Sequence, residues 1–301
     1  MKNVFITGIS GCVGSYLADL ILGNPEYKLF LLVSNPHKLS FDPAKYPNVA
    51  IVHDEMMNIK KYSDLLKGMD HVIHIAAGWG TSEINFEYTI DLFNALDPAR
   101  IKKVIYFSTA SILGPDNKVN DKVGEIGTSY IKGKYDCHKK LPELPVYDKI
   151  VTLFPTWVLG GDASHRYSHA MGGLLGAKKW LWLLRFLSID FEFHFIHAKD
   201  IAFVVKYILE NELKKRELVL GNGPVTADQL IQAICDHYKV KRYFKIRISP
   251  KLVKRLAGNR ISEWDKYCLD QRHFVYKVSN PRTFGITAEF PTITNVLGGL
   301  N

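Results

Sequence analysis

The chain has 301 residues, of which 47% are hydrophobic and 23% are charged. This composition is typical of a globular protein with one or two domains, and it excludes a disordered or fibrous chain. The formal net charge of +9 favours an acidic partner. Because the Lys and Arg residues are scattered along the chain, we expect that partner to be a phosphorylated cofactor or substrate and not a nucleic acid.

The chain has no convincing signal peptide and no apolar run long enough to cross a membrane. Its four cysteines have neither a CxxC pattern nor metal-ligand spacing, which predicts no metal site and no disulfide framework. We therefore expect a cytoplasmic protein with no membrane span.

Six apolar runs rich in β-branched residues alternate with stretches of helical periodicity, the first of which lies at residues 13–22. Strands that alternate with helices in this way predict a doubly wound parallel α/β sheet covered on both faces. The predicted strands lie at residues 3–8, 27–34, 48–54, 71–77, 102–111 and 149–155.

The alternation of predicted strands and helices ends after residue 160. Residues 161–176 are predicted to form a loop, residues 261–286 are predicted to be irregular, and helical periodicity returns at residues 198–211 and 226–240. The sequence thus predicts a sheet domain over residues 1–160, whose core is completed by residues 195–220, and a smaller α+β lobe over residues 161–301.

Three glycines, Gly8, Gly11 and Gly14, follow the first predicted strand and precede the first predicted helix. In that position one glycine permits a tight turn, one lets a pyrophosphate approach the backbone, and one allows close packing of helix on strand. The phosphates then lie at the positive end of the helix dipole. The pattern therefore predicts a dinucleotide site at this turn.

The end of the second predicted strand is expected to bind the adenosine ribose of that dinucleotide. A carboxylate there would bind the 2′-hydroxyl of NAD, whereas a basic side chain would accommodate the 2′-phosphate of NADP. The sequence has Ser34 and Asn35 at this point, with Lys38 shortly after and no acidic residue. This favours NADP over NAD; the alternative is an Asn-Pro turn followed by a solvated lysine.

Tyr130 and Lys134 are one helical turn apart, so a helix would present both on one face. A tyrosine has a pKa of about 10, and a neighbouring ammonium group and an oxidised nicotinamide would lower it for proton transfer at neutral pH. Tyr135 and Lys139 repeat the spacing on another face. We favour Tyr130 and Lys134 because Gly133 would let a cofactor lie close to them.

A cluster of hydroxyl groups, Ser108, Thr109 and Ser111, follows the fifth predicted strand and precedes the Tyr130 helix. Catalytic groups in an open α/β sheet lie at the carboxyl ends of the strands. A hydroxyl at this point could polarise a substrate carbonyl while Tyr130 passes the proton.

These motifs, in this order, resemble those of the extended short-chain dehydrogenase/reductases, an NAD(P)-dependent epimerase/dehydratase-like family with a Rossmann fold. The resemblance implies that Thr109, Tyr130 and Lys134 are catalytic, joined by Asn85, which fits the first asparagine of a family helix. It also implies a homodimer. The predicted cofactor-binding residues are Gly8, Ser10, Gly11, Cys12, Val13, Gly14, Ser34, Asn35, Lys38, Asp54, Glu55, Ile75, Ala76, Ala77, Gly78, Ser108, Tyr130, Lys134, Pro155 and Thr156.

We therefore expect an NAD(P)(H)-dependent reductase or dehydrogenase that interconverts a small-molecule ketone and a secondary alcohol, with residues 161–301 binding the substrate. One alternative is a nucleotide-sugar epimerase or dehydratase that retains NAD, although the chain lacks the G-x-G-x-Q-x-R-D-F stretch common among such epimerases of the family. Another is a non-catalytic NAD(P)-binding regulator, which the presence of Tyr130 and Lys134 argues against.

The aromatic segment at residues 180–195 allows three interpretations: an apolar wall for a hydrophobic carbonyl compound, the core of the lobe, or a peripheral membrane contact. Its main aromatic side chains are Trp180, Trp182, Phe186 and Phe191. A diphosphate-sugar would instead need converging arginines, for which the candidates are Arg166, Arg185, Arg260 and Arg272.

Overall fold

The structure is a computed structural model that describes residues 1–300 and, in that range, all side chains except those of Leu256 and Asn259. The strands in this part of the chain are β1 (Lys2–Thr7), β2 (Tyr27–Leu32), β3 (Val49–Val52), β4 (His71–His74), β5 (Lys103–Phe107), β6 (Ile150–Pro155), β7 (Trp157–Leu159), β8 (Leu187–Ile189), β9 (Glu192–Phe193), β10 (Phe195–His197), β11 (Glu217–Leu220), β12 (Val225–Thr226) and β13 (Ile246–Ile248).

The α-helices in the same residues are α1 (Cys12–Ile21), α2 (Ser63–Lys67), α3 (Glu87–Asn94), α4 (Asp121–Ile126), α5 (Ser129–Lys140), α6 (His169–Gly176), α7 (Leu181–Leu184), α8 (Ala198–Glu210), α9 (Ala227–His237), α10 (Pro250–Ala257), α11 (Glu263–Gln271) and α12 (Ile293–Gly298). None of the helices within residues 1–300 combines the length and the apolar character needed to cross a membrane.

Strands β1 to β6 and β11 form one sheet in which every neighbouring pair is parallel. Their order is β11-β6-β5-β4-β1-β2-β3, so the chain winds outwards from β1 in both directions. All six predicted strands are present, and the predicted doubly wound parallel α/β class is confirmed. The direction of winding switches beside β1, and ligands of such sheets bind at this switch point.

Helices cover both faces of the sheet because successive side chains of a strand point to opposite faces. Val4 and Ile6 of β1 pack in one core with α1 and α8, whereas Phe5 packs on the other face with α3 and α5. Lys103 at the start of β5 is also buried, and its ammonium group donates hydrogen bonds to the carbonyl oxygens of Ile208 and Asn211. These bonds hold the C-terminal end of α8 against the sheet.

The lobe has a separate core built from β7, β10, α6, α9 and α12. After β10 and before β12 the chain leaves the lobe and returns to the sheet domain. There α8 packs on α1, and β11 pairs with β6. The sheet and its helical cover therefore include residues from both halves of the sequence.

Two predictions for the lobe were wrong. The predicted loop at residues 161–176 contains α6, whose N-terminus is capped by the Ser168 hydroxyl, an acceptor for the Met171 N–H at 3.1 Å. The predicted irregular stretch at residues 261–286 contains α11, capped reciprocally by Ser262 and Asp265. In α6 the glycines have weak helix propensity, so capping and the burial of its apolar side chains outweigh the local signal.

Two of the three glycines in the first turn, Gly8 and Gly14, are required by the packing of the protein itself. Gly8 has a φ of +79°, and a Cβ atom built on it would lie 2.6 Å from the backbone nitrogen of Ala76. A Cβ atom on Gly14 would lie 2.2 Å from the carbonyl oxygen of Gly8, because α1 packs directly on the turn that precedes it. The glycines thus allow β1, α1 and the end of β4 to meet through their backbones.

We expect Gly14→Ala to lower the free energy of unfolding by about 3 kcal/mol, the upper part of the usual range for overpacking, since its new methyl group meets backbone and not a movable side chain. The matched control is Gly172→Ala in α6, where a Cβ atom meets nothing within 4 Å. That change should stabilise the protein by about 0.4–1 kcal/mol. Urea unfolding followed by circular dichroism measures both, and equal stabilities of the two variants would contradict the tight contact.

Candidate active site

The predicted site residues follow the carboxyl ends of neighbouring parallel strands, and they therefore lie along one edge of the sheet. Gly8 follows β1, Ser34 follows β2, Asp54 follows β3, Ile75 follows β4, Ser108 follows β5, and Thr156 follows β6. The edge includes the switch point beside β1, where the sequence predicts a cofactor.

Gly11 is the N-cap of α1, and a Cβ atom on it would meet only the Gly8 carbonyl oxygen among the described atoms within 4 Å. That oxygen would be 3.2 Å from the Cβ atom, a tight contact but a less severe one than those at Gly8 and Gly14. The first backbone N–H groups of a helix have no partner inside it, and α1 has no acidic residue in its first turn to occupy them. Free donors at a helix N-terminus, with no side chain on Gly11 to cover them, fit the pyrophosphate of NAD(P).

The residues after β2 and β3 lie at the rim of this edge. Asn35 accepts a hydrogen bond from the His37 N–H, and Lys38 is exposed. The Asp54 carboxylate binds groups of the turn that follows it: it accepts hydrogen bonds from Asn58, from the Glu55 N–H and from Tyr62. These bonds lower the pKa of Asp54 to about 2. A contact of Asp54 with adenine stays a prediction.

The end of β4 is fixed by a buried chain of hydrogen bonds. The Thr89 hydroxyl donates to the carbonyl oxygen of Ile84 at 2.7 Å and lies 2.8 Å from His74 Nε2, so Nε2 carries the proton and donates to Thr89. His74 Nδ1 then accepts from the Thr7 hydroxyl at 2.7 Å. Burial and, secondarily, the charge of Lys134 hold the pKa of His74 well below its ordinary value, which agrees with a neutral ring.

Asn85 lies beneath the loop that leaves β4 and is fully buried. Its Oδ1 accepts from the Gly78 N–H at 3.2 Å, and its Nδ2 donates to the carbonyl oxygens of Gly78 and Thr81 at 2.7 and 2.8 Å. The amide therefore holds the loop that carries Ile75–Gly78. Its polar atoms are directed at backbone groups, which is a different placement from the catalytic one that the resemblance implies.

Lys134 of α5 is almost completely buried, with 1% of its surface exposed. Its ammonium group donates to the carbonyl oxygen of Phe107, at the end of β5, over 2.7 Å and lies 4.8 Å from the centre of the Tyr106 ring. Burial lowers the pKa of Lys134 to about 8. The lysine therefore ties the helix to the strand that carries the hydroxyl cluster.

Tyr130 lies one turn before Lys134 and is half-buried beside Thr109. Burial raises the pKa of Tyr130 to about 12, and the hydrogen-bond contact with Thr109 opposes this rise. The sequence predicts a pKa lowered by Lys134 and an oxidised nicotinamide together; in the protein alone the pKa is raised, and the effect of the nicotinamide stays a prediction. The physical reason is that the Lys134 ammonium is directed at the Phe107 carbonyl while the apolar surroundings of Tyr130 disfavour its phenolate.

The second Tyr–Lys pair has a different environment. The Tyr135 hydroxyl and the Lys139 ammonium both bind the exposed carboxylate of Asp121, at 2.6 and 3.2 Å.

Gly133 faces the interior of the protein: a Cβ atom there would lie 2.9 Å from Asn85 Cβ. Gly133 is thus required for packing of α5 against the loop after β4, and the expected reason, space for a cofactor, was wrong.

Aromatic side chains that the sequence analysis did not single out cover Tyr130. The Trp79 ring stacks on the Tyr130 ring with centroids 4.5 Å apart, and His169, the first residue of α6, lies 4.8 Å from Trp79. Trp79 stands next to Gly80, whose φ is +90°. The only local signal was a tryptophan directly after the predicted strand-four motif.

Thr156, expected near the nicotinamide, donates its hydroxyl proton to the carbonyl oxygen of Leu220 at 2.8 Å. This bond links the ends of β6 and β11. Pro155, the last residue of β6, is buried. Both residues lie on the edge that carries the other site residues, and their contact with a cofactor stays a prediction.

A second group of residues that the sequence analysis missed joins the lobe to α1. Asp162 accepts hydrogen bonds from the Tyr16 hydroxyl at 2.8 Å and from His165 Nδ1, while His165 Nε2 lies 2.8 Å from an oxygen of Asp19. Although burial acts to raise it, the bonds from His165, the Ser164 N–H and Tyr16 lower the pKa of Asp162 to about 2. The loop before α6 is therefore anchored to the helix of the glycine turn.

The parallel sheet, the glycine turn and the Tyr130–Lys134 helix together define a dinucleotide-dependent α/β enzyme. Residues 4–221 match the sequence model of the NAD dependent epimerase/dehydratase family, and the chain belongs to this family. It is an enzyme of the extended short-chain dehydrogenase/reductase type, which confirms the resemblance seen in the sequence.

Individual relatives agree with this assignment. Sterol-4-alpha-carboxylate 3-dehydrogenase, decarboxylating, from Dictyostelium discoideum is 25% identical over 237 residues, covering 70% of this chain and 68% of that protein. UDP-N-acetylglucosamine 4-epimerase from Methanobrevibacter ruminantium M1, solved with UDP-N-acetylmuramic acid, has a TM-score of 0.68 at 20% identity, covering 99% of this chain and 96% of that one. The Bordetella bronchiseptica enzyme WbmG in complex with NAD has a TM-score of 0.68 at 15% identity, covering 99% and 92%. The two solved structures establish likeness of fold alone.

The buried Lys134 should make stability depend on pH in a defined direction. Its pKa is lowered from 10.5 to about 8 by folding, so between these pH values the unfolded chain binds a proton that the folded chain lacks, and stability rises with pH. Relative to Lys134→Met, the wild-type free energy of unfolding should therefore rise by about 3 kcal/mol across this range.

Urea unfolding of both proteins at several pH values measures this difference. The matched control is Lys139→Met, because Asp121 raises the pKa of the exposed Lys139 and the sign is reversed: its small contribution is lost as the pH rises. A wild-type advantage over Lys134→Met that stays constant with pH would contradict a buried ammonium group.

Proposed function

We propose that this protein is an NAD(P)(H)-dependent oxidoreductase that interconverts a ketone and a secondary alcohol. The observation that carries the proposal is the grouping of Thr109, Tyr130 and Lys134 at the carboxyl end of β5, with Tyr130 against Thr109 and Lys134 bonded to the strand. The nicotinamide ring of the cofactor would supply or accept the hydride. Binding of its phosphates is assigned to the glycine turn.

Each of the three side chains then has a distinct role. Thr109 and Tyr130 bind the reacting oxygen, and Tyr130 exchanges its proton with that oxygen. A pKa of about 12 keeps Tyr130 protonated at neutral pH, so it is poised to donate a proton, as reduction of a ketone requires. Lys134 orients the ribose of the cofactor, and its positive charge favours the phenolate when the reaction runs towards oxidation. For Asn85 we propose a positioning role, through the loop after β4.

The surroundings of Tyr130 favour an apolar substrate. Trp79 stacks over it, His169 contacts Trp79, and Trp79 is 63% exposed. Two of the four arginines that could bind a diphosphate are engaged elsewhere, since Arg272 pairs with Asp190 at 2.6 Å and Arg185 stacks on Phe186. The relative from Dictyostelium, whose name describes a dehydrogenase of a sterol carboxylate, fits a hydrophobic secondary alcohol as the substrate class.

For the cofactor we propose NADP in preference to NAD, because the exposed Lys38 follows β2 where an acidic residue would favour NAD. We further propose that residues 161–301 supply the substrate site, with α6 connected to Tyr130 through the contact of His169 with Trp79, and that the protein forms the homodimer expected from its family resemblance.

Tyr130→Phe should reduce turnover at least about a thousandfold while leaving the Kd for NADPH within about twofold, because it removes the proton donor and no cofactor-binding charge. Tyr135→Phe is the matched control, with the same chemical change on the opposite side of α5 at an exposed hydroxyl. Turnover on a panel of hydrophobic ketones and fluorescence titration with NADPH provide the two readouts. Retained turnover in Tyr130→Phe would sink the assignment.

Lys38→Ala should weaken NADPH binding about tenfold and leave NADH binding unchanged, since only NADPH carries the 2′-phosphate. Lys45→Ala, another exposed lysine close in sequence, is the control. Equal loss for both cofactors would remove the reason for preferring NADP. NAD that survives purification would instead favour the nucleotide-sugar epimerase or dehydratase, and cofactor binding without turnover on carbonyl or nucleotide-sugar panels would favour the regulator.

A further inference from the structure

The aromatic segment of the lobe divides between the core and the surface. Phe191 packs against the lobe core, but Trp180 is 59% exposed and Trp182 is 64% exposed. A second segment of the chain presents Tyr243 at 71% and Phe244 at 58% exposure. Large apolar side chains are rarely gathered on a surface without a partner. We define the aromatic face as the exposed side chains Trp180, Trp182, Leu183, Tyr243, Phe244 and Ile246.

The two segments form one surface because they are joined by backbone and side-chain contacts. Strand β8 of the first segment pairs in parallel with β13 of the second. The Ile246 N–H donates to the carbonyl oxygen of Phe186 at 2.6 Å, and the rings of Phe186 and Phe244 stack with centroids 4.8 Å apart. The second segment is therefore attached directly to residues 186–189, which follow Trp180 and Trp182 closely in the chain.

The two segments are rich in basic residues, and the carboxylates of Asp190, Asp228 and Asp270 neutralise part of that charge. Residues 237–262 include nine Lys or Arg residues and no Asp or Glu, and residues 163–189 include four Lys or Arg residues and again no Asp or Glu. Eight of the exposed basic residues in these two segments make no ion pair with any residue that the structure describes: Arg166, Lys178, Lys179, Lys239, Lys241, Lys251, Arg255 and Arg260. The excess positive charge of the protein is thus enriched beside the aromatic face.

We propose that the aromatic face binds the surface of an anionic lipid bilayer. Trp and Tyr side chains are suited to the boundary between headgroups and acyl chains, and flanking lysines are attracted to anionic headgroups. A protein partner is a weaker match, because protein interfaces are depleted in lysine. The contact is peripheral, with side chains entering the interface and the backbone remaining outside.

The aromatic face is linked to the candidate active site by a single helix. Helix α6 begins at His169, against the Trp79 that covers Tyr130, and is followed directly by the 3-10 turn Ala177–Trp180. Eight residues of α-helix span about 12 Å, so a bilayer bound at Trp180 would lie close to the entrance of the site. Adsorption itself does not rest on the proposed function, because it requires only the exposed side chains.

The experiment is co-sedimentation of the full chain with phosphatidylcholine vesicles that contain about one quarter phosphatidylserine, and with vesicles of phosphatidylcholine alone. We expect the wild-type protein to bind the anionic vesicles and to be released as the salt concentration rises to about 0.5 M. The variant Lys178→Gln/Lys179→Gln/Lys251→Gln should bind about a hundredfold more weakly, since each basic residue at such a surface contributes about fivefold. Trp180→Ser/Trp182→Ser should bind at least about tenfold more weakly.

The matched control is Lys28→Gln/Lys214→Gln/Lys215→Gln, which removes the same charge from exposed positions in β2 and just before β11 of the sheet. It should bind nearly as tightly as the wild type, with only the small weakening that a lower net charge causes. NADPH titration and circular dichroism verify that each variant is folded. The proposal is overturned if the wild type stays in the supernatant, or if the lobe variants and the control lose binding equally. Binding to heparin or DNA without binding to vesicles would also overturn it, and would assign the face to nucleic acid.

Discussion

The contact between the glycine turn and its neighbours is the constraint on which the site depends. Gly14 lets α1 rest on the carbonyl oxygen of Gly8, and Gly8 in turn lies against the backbone of Ala76. With α1 held there, Gly11 caps its N-terminus without a side chain, and its apolar side packs on α8. The same helix carries Tyr16 and Asp19, which anchor the lobe loop through Asp162 and His165. The close packing at Gly8 and Gly14 thus positions the predicted phosphate site, the core and the start of the lobe.

The second constraint is electrostatic. Beneath Tyr130 the protein buries a lysine ammonium, held by one backbone carbonyl and one aromatic ring, next to a histidine that must stay neutral. Burying a charge with so few partners disfavours folding, which is why the pKa of Lys134 falls to about 8. Buried titratable groups of this kind are typical of functional sites, where they support the activity although they lower the stability of the fold. The hydrogen-bond chain from Thr7 to Thr89 limits the disturbance by fixing the tautomer of His74.

The distribution of apolar and basic side chains separates the molecule into two functional regions. The sheet edge gathers hydroxyl, amide and ammonium groups from sequence-distant strands, whereas the lobe gathers exposed aromatic and basic residues from two adjoining segments. Helix α6 connects the regions, with Met171 and Leu174 buried in the lobe core and its glycines open to solvent. This arrangement places the first residue of α6 against Trp79, which stacks on Tyr130.

By itself the sequence determined the sheet, the glycine turn and the identity of the Tyr130–Lys134 helix, because these features are encoded by local periodicity and spacing. The sequence did not predict helices α6 and α11, where capping outweighs weak local patterns. It also did not predict why residue 133 is a glycine, because Gly133 packs on Asn85, 48 positions away. Only the tertiary structure decided that the pKa of Tyr130 is raised, that Asn85 binds a loop, and that Trp79 and His169 meet over the tyrosine. Burial and contacts between distant residues control all of these, and neither is a property of a short stretch of chain.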